Sequence, residues 1–224
     1  EAPVGQYTWT VNLRKNGRFF CGGSLIAPQY VLTAGHCVAD GAPDYVSIGS
    51  HYNYDAGDGE QINVDSAVAH PSFGDPLLGF DVAILKLSEP ATTTPIPLAS
   101  SLALGGSRAK LLGWGQTSGP QGSPSSVLKE NDFTVVSNKD CQAKLRKSSQ
   151  FRTWTAQDSH ICAGGVSGQA ACFGDSGGPL VTNGALVGDV SFGVPCAKGF
   201  PDVYGRISTF RDFIDQNSEG HQWV

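Results

Sequence analysis

Short apolar runs, each stopped within a few residues by Gly, Pro, Asn or Asp, recur along the whole chain and constrain its fold more than any other feature. Ten of them read as strands: YTWTVNL, GSLIAP, YVLTAG, YVSIGS, INVDSAVAH, DVAILKL, AKLLGWG, DFTVVS, ALVGDVSFG and PDVYGRI. Runs of this length bounded by turn residues fit strands that cross a sheet once and reverse. With 29 Gly and 13 Pro in 224 residues and only 16% charged residues, tight turns are favoured over long charged helices. The chain is expected to be all-β. A chain of this size buries roughly three quarters or a little less of its unfolded surface, so a core suffices to hold it without a metal.

The stretch 90–106 (PATTTPIPLASSLALGG) lacks alternation and is rich in Thr, Pro and Ser, as an extended connection between two halves would be. It divides a single domain, 1–224, into approximate subdomains 10–95 and 106–206. Ile207, Phe210, Phe213 and Ile214 fall on one face at helical spacing and predict a C-terminal helix over 207–217 that docks on the body. The segment 115–126 (GQTSGPQGSPSS) reads as a flexible surface loop open to cleavage. No internal repeat of solenoid length is found.

Charge and cysteine usage narrow the setting. The formal charge is −5, and no Lys/Arg block provides the footprint that a phosphate backbone requires, so nucleic acid is excluded as a partner. Six cysteines without a Cys-x-x-Cys pair predict three disulfides in an oxidising compartment, hence a secreted, extracellular protein. There is no apolar run near about 20 residues and no signal peptide, so the chain is expected to be a mature product whose export signal has been removed, with no membrane contact. No Asn-x-Ser/Thr sequon occurs. Nothing demands a cofactor, a metal or an oligomer, and a monomer is expected.

Three residues carry candidate chemistry. Ser176 sits in CFGDSGGPL, where flanking glycines let the backbone turn tightly and bring its N–H groups near a bound carbonyl; the same run also suits an ordinary turn. His36 sits in LTAGHCV directly before Cys37, where a disulfide would fix a group able to take a hydroxyl proton near neutral pH; a lone histidine is more often structural. Asp81 stands at the mouth of the apolar strand DVAILKL, where an ionised carboxylate needs hydrogen bonds or a cation. Orienting an imidazole would satisfy it, and so would capping a turn.

Taken together, TAGHC, DVAIL and GDSGGP in that order resemble the chymotrypsin/trypsin family of serine peptidases over nearly the whole chain. The resemblance implies two packed six-stranded Greek-key β-barrels with a C-terminal helix. It implies a serine endopeptidase in which Ser176 attacks the scissile carbonyl, His36 relays the proton and Asp81 holds the imidazole, with the N–H groups of Gly174 and Ser176 as oxyanion hole. It further implies the disulfides Cys21–Cys37, Cys141–Cys162 and Cys172–Cys196, one of about 15 possible pairings. Partners would be protein or peptide substrates and protein protease inhibitors. CGGSLI, the Gly113–Gly115 GWG and the Ser191–Gly193 SFG add to the match, and Ser191, Phe192 and Gly193 are expected to pair with substrate backbone.

The primary pocket departs from the family's commoner patterns. Its base is expected at Ala170 rather than the trypsin Asp, while CAKGFPDVYG places Asp202 on the opposite wall. Asp202 either attracts Lys or Arg, as in broad-specificity collagenolytic-type members, or turns to a hydrogen-bond partner and narrows the pocket. Phe173 is expected over the entrance, and Gly193 leaves the mouth open. The family's calcium loop corresponds to SHYNYDAGDGE, Ser50 to Glu60, where Asp55, Asp58 and Glu60 fit a hydrated acidic loop as well as an ion; no metal is expected. The family's mature start, Ile-Val-Gly-Gly, supplies an amino group to the residue before the nucleophile, here Asp175, whereas this chain starts EAPVGQYTWT. A zymogen-like or non-catalytic binding homologue is therefore the alternative expectation.

Overall fold

The computed structural model describes residues 1–54, 57–116, 121–168, 170–172, 175–196 and 198–224. Six strands build a first closed barrel: β1 (Thr10–Lys15), β2 (Arg18–Ala27), β3 (Tyr30–Thr33), β4 (Tyr45–Ile48), β5 (Glu60–Ala69) and β6 (Ala83–Leu87), hydrogen-bonded in the order β1-β2-β3-β6-β5-β4. A second barrel follows from β7 (Arg108–Gly113), β8 (Lys129–Val136), β9 (His160–Gly164), β10 (Pro179–Thr182), β11 (Ala185–Phe192) and β12 (Pro201–Arg206), in the order β7-β8-β9-β12-β11-β10. The winding of the two is the same. All named pairings are antiparallel, and closure leaves neither barrel an unpaired edge.

Each barrel is filled from its own strands. Val11, Leu13, Leu25, Val46 and Leu85 pack inside the first, and Leu111, Phe133, Ile161, Leu180 and Tyr204 inside the second. A third apolar cluster joins them: Ile26, Leu32 and Ile84 from one barrel meet Leu186 from the other, with Leu98 of the connection between them. That connection carries no named strand between Leu87 and Arg108.

The C-terminal segment begins as a tight 3-10 turn, Ile207–Phe210, before α2 (Arg211–Asn217). No side chain caps the turn, and Thr209 Oγ1 donates to the Arg206 carbonyl at 2.7 Å, so the regular helix starts later than 207. Ile207, Phe210, Phe213 and Ile214 are buried in the inter-barrel cluster. A second helix, α1 (Asn138–Leu145), was not expected: Ser137 Oγ accepts the Asp140 N–H at its start, but only Cys141 and Leu145 are buried, too few to show a period.

The three disulfides pair Cys21 with Cys37, Cys141 with Cys162 and Cys172 with Cys196, as the resemblance implies. The first ties β2 to the turn bearing His36; the third ties the segment before Ser176 to the loop after β11.

Candidate active site

His36 lies in a 3-10 turn, Gly35–Val38, that leaves the end of β3. A Cβ on Gly35 would stand 3.0 Å from the Phe73 ring and 3.3 Å from Asp81 Oδ1, so only glycine lets the turn approach Asp81 this closely. Asp81 follows Phe80, whose backbone is left-handed (φ 59°), and the turn aims the carboxylate at the histidine. Asp81 Oδ1 accepts the His36 backbone N–H at 2.9 Å, and Oδ2 lies 2.7 Å from His36 Nδ1 and accepts the Ser191 hydroxyl at 2.6 Å. A carboxylate only 1% exposed is thus satisfied by three donors. Because Asp81 accepts, Nδ1 carries the proton and Nε2 is left to face the cleft. The simple turn-capping alternative for Asp81 is excluded by this geometry, and Ser191, expected only to touch substrate, is also part of the histidine's support.

Ser176 stands where the barrels meet. Its carbonyl accepts the Gly22 N–H of β2 at 2.8 Å, and Gly177 N donates to Val190 O of β11 at 2.9 Å. Gly177 has φ +77°, and a Cβ there would stand 2.3 Å from Thr33 Oγ1 and 2.5 Å from Gly22 O. The glycines after the serine are therefore required by close backbone approach. Ser176 opens onto a cavity of about 290 Å³ that it shares with Gln150, Ser191, Phe192, Gly193 and Asp202. Phe173 and Gly174, expected over the pocket and in the oxyanion hole, lie outside the described residues.

Asp202 is buried in that cavity. Oδ2 accepts the Ala171 N–H at 2.8 Å, while a Cβ on Gly193 would stand 2.6 Å from Oδ1. Gly193 therefore leaves the space that the carboxyl occupies. Burial pushes the Asp202 carboxyl up to about 8, with the Ala171 amide opposing and the charge of Asp175 adding. Ala170, expected at the base of this pocket, lines a neighbouring cavity, and Ala171 lines the cavity of Ser176.

The neighbouring cavity, about 360 Å³, is bounded by Glu1, Gly115, Lys129, Ala170 and Asp175. The Asp175 carboxylate accepts N–H groups from Gly115 and Cys172, both at 2.8 Å. Burial raises it to about 6 against these two donors. A Cβ on Gly113 or Gly115 would stand 2.1 or 2.2 Å from a carboxylate oxygen, which explains why the GWG segment brackets its tryptophan with glycines.

In the acidic loop, Asp58 accepts the N–H groups of His51 and Tyr52, and Glu60 accepts those of Thr92 and Thr93. Asp55 lies outside the described residues. Among the described residues no cluster of three His, Cys, Asp or Glu could hold a metal ion.

One wall of the groove escaped the sequence reading. Phe192 packs among Phe151, Trp154 and His160, with ring centroids 5.6, 5.6 and 5.7 Å away. The available signal was the polar histidine at the start of HICAG, beside a disulfide-bonded cysteine on an apolar strand.

Comparison with known proteins agrees with this architecture. A family model described as Trypsin matches residues 1–214. Glucanase inhibitor protein 2 of Phytophthora sojae is 38% identical over 227 residues, covering 95% of this chain and 75% of that protein. Trypsin 5G1 of Aedes aegypti is 36% identical over 228 residues, covering 97% and 83%. Mouse neuropsin, described as a serine protease expressed in the limbic system of the brain, superposes with a TM-score of 0.86 at 28% identity, covering 96% of each chain.

Proposed function

The chain belongs to the trypsin family, and from that premise we propose that it is a serine endopeptidase with Ser176, His36 and Asp81 as its catalytic triad. The observation that carries this reading is the Asp81 carboxylate, buried and aimed at His36 Nδ1 at 2.7 Å, with its other oxygen on the His36 backbone amide. That arrangement fixes the tautomer a general base needs. Ser176 Oγ attacks the scissile carbonyl carbon as His36 Nε2 takes its proton. The tetrahedral oxyanion collapses, the C–N bond breaks, the amine leaves with the proton from His36, and Ser176 is acylated. Water, deprotonated by the same nitrogen, then releases the acid and restores Ser176. Backbone N–H groups of Gly174 and Ser176 form the oxyanion hole in this reading, each worth ~100 to 1000-fold in turnover.

Asp202 selects the side chain preceding the cut. Ionised, it holds Lys or Arg; neutral, it lets a large apolar side chain share the cavity with Phe192 and Val190. Specificity is therefore trypsin-like to broad. A cation brought to the cavity that Glu1 and Asp175 line would pair with the Asp175 carboxylate and support the segment before Ser176. The three disulfides support an extracellular setting, with proteins and peptides as substrates and protein inhibitors as partners.

The test is burst kinetics on an activated ester of lysine. A burst of about one equivalent is expected, with turnover falling about a million-fold in Ser176→Ala; an unchanged rate in that variant would overturn the reading. The relative named as a glucanase inhibitor protein favours a second reading, in which the scaffold binds and inhibits a glucanase. Inhibition of a glucanase by the Ser176→Ala variant, with no burst from the parent, would establish it in place of the first.

A further inference from the structure

We propose that His160 is a positioning residue of the extended substrate groove: as a neutral imidazole it ties a turn of the first barrel to a turn of the second and braces the Phe192 wall, so that acid loosens recognition of long substrates. The inference rests on the peptidase reading above. His160 opens β9 and is 1% exposed. Its Nδ1 accepts the Gln157 backbone N–H at 3.0 Å, and its Nε2 lies 3.0 Å from the Pro76 carbonyl. With an amide donor on Nδ1, the ring must be the Nε2–H tautomer, donating to Pro76.

The same two turns meet in two other places. Trp154 Nε1 donates to the Leu77 carbonyl at 3.1 Å, and a Cβ on Gly79 would stand 2.1 Å from Ser159 Oγ. Trp154 also packs on His160 with centroids 5.4 Å apart. A cavity of about 260 Å³ lies between the turns, lined by Leu77, Gln150, Trp154 and Gln157. Gln150 also lines the cavity of Ser176, as Phe192 does. A substrate chain leaving Ser176 along Phe192 thus runs into the space that His160 holds together. Phe192 reaches the substrate; His160 acts through it and through the turns.

Protonation would place a second N–H on Nδ1, against the Gln157 N–H. The charges around the ring come from four places. Arg206 of β12, whose Nε donates to the His160 carbonyl at 3.0 Å, disfavours the imidazolium. Asp81 favours it. Asp158, in the turn before β9, is exposed, and Asp75, at the start of the Pro76 turn, is engaged by the Leu77 N–H at 2.9 Å. Burial is the largest influence; it outweighs the Pro76 carbonyl, which favours the imidazolium, as well as these charges, and holds the imidazole below the ordinary histidine value. For a lowered folded value, the Gln157 end of the tie is complete above about pH 6.5 and is lost as pH falls through the lowered value, while Nε2–H keeps its bond to Pro76.

The experiment compares kcat/KM for a tetrapeptide amide and a single-residue ester that share the residue before the cut, from about pH 5 to about pH 8. Both need Ser176 and His36, so the titration of the triad cancels in their ratio. The ratio is expected to fall about fivefold in acid for the parent. In His160→Gln, which stays neutral and can donate to Pro76, it should stay flat with pH. In His160→Ala it should drop about tenfold at pH 7, through KM rather than kcat. An unchanged ratio in His160→Ala, or the same pH dependence in the parent and His160→Gln, overturns the proposal. No ester hydrolysis by the parent overturns the peptidase reading and this inference with it.

Discussion

Asp202 places a carboxyl group inside the cavity that Ser176 also lines, one oxygen on the Ala171 amide and the other over Gly193. With its folded value up at about 8, the empty pocket is mostly neutral at pH 7 and mostly charged at about pH 9. Preference for Lys or Arg over Leu before the cut should therefore rise about tenfold across that interval, and Asp202→Asn should flatten the rise; a scan of matched peptide amides at both pH values reads it. Stability follows with a definite sign. The folded state keeps its proton to higher pH than the unfolded state, so the contribution is complete below about pH 4 and lost as pH rises through about 8. Thermal melts should show Asp202→Asn gaining on the parent at pH 8 relative to pH 5. The sequence made Asp202 legible as a departure from the family's pattern. It could not show that Ala170 turns to the Asp175 cavity or that Ser191 bonds to Asp81, because both depend on which side of a strand or loop a short side chain leaves.

Among the elements, the turn after β7 holds the residue before Ser176 from a distance in sequence. Gly115 donates its N–H to Asp175, and its missing side chain leaves room for that carboxylate. Gly115→Ala is expected to reduce kcat about 100-fold or more, with KM and the far-ultraviolet circular dichroism little changed, because it displaces the residue beside the nucleophile rather than the barrel. Kinetics of the variant against the parent check it, and full activity would show that the loop does not depend on this contact. The ten apolar runs correspond to ten of the twelve strands, and the two passed over are β9 and β10. HICAG and PLVT are short, and each adjoins residues that read as disulfide or catalytic motif rather than as strand. The helix α1 was invisible because two buried side chains in eight residues make no periodic face. The groove wall made by Trp154, His160 and Phe192 was hidden for a different reason: its members come from separate segments that only the closed second barrel brings together.

For the molecule as a whole, the proposed catalytic residues are divided between the barrels, so the proposed function depends on the surface that joins them. That surface is the apolar cluster of Ile26, Leu32, Ile84, Leu186 and the C-terminal Phe210 and Ile214. Phe210 is 1% exposed, and Phe210→Ala should destabilise the protein by about 3–5 kcal/mol, lowering its melting temperature while the two barrels still unfold in one transition. Two separated transitions in calorimetry would show that the barrels are not coupled through this cluster. If this joined surface presents Ser176 as an activated nucleophile, a fluorophosphonate will find it, and peptide mapping after labelling reads where the group lands. One phosphonyl group per molecule is expected, on Ser176, in the native protein and none after denaturation or in His36→Ala; labelling that is equally slow in native and denatured protein, or that maps to another serine, would rule out an activated Ser176.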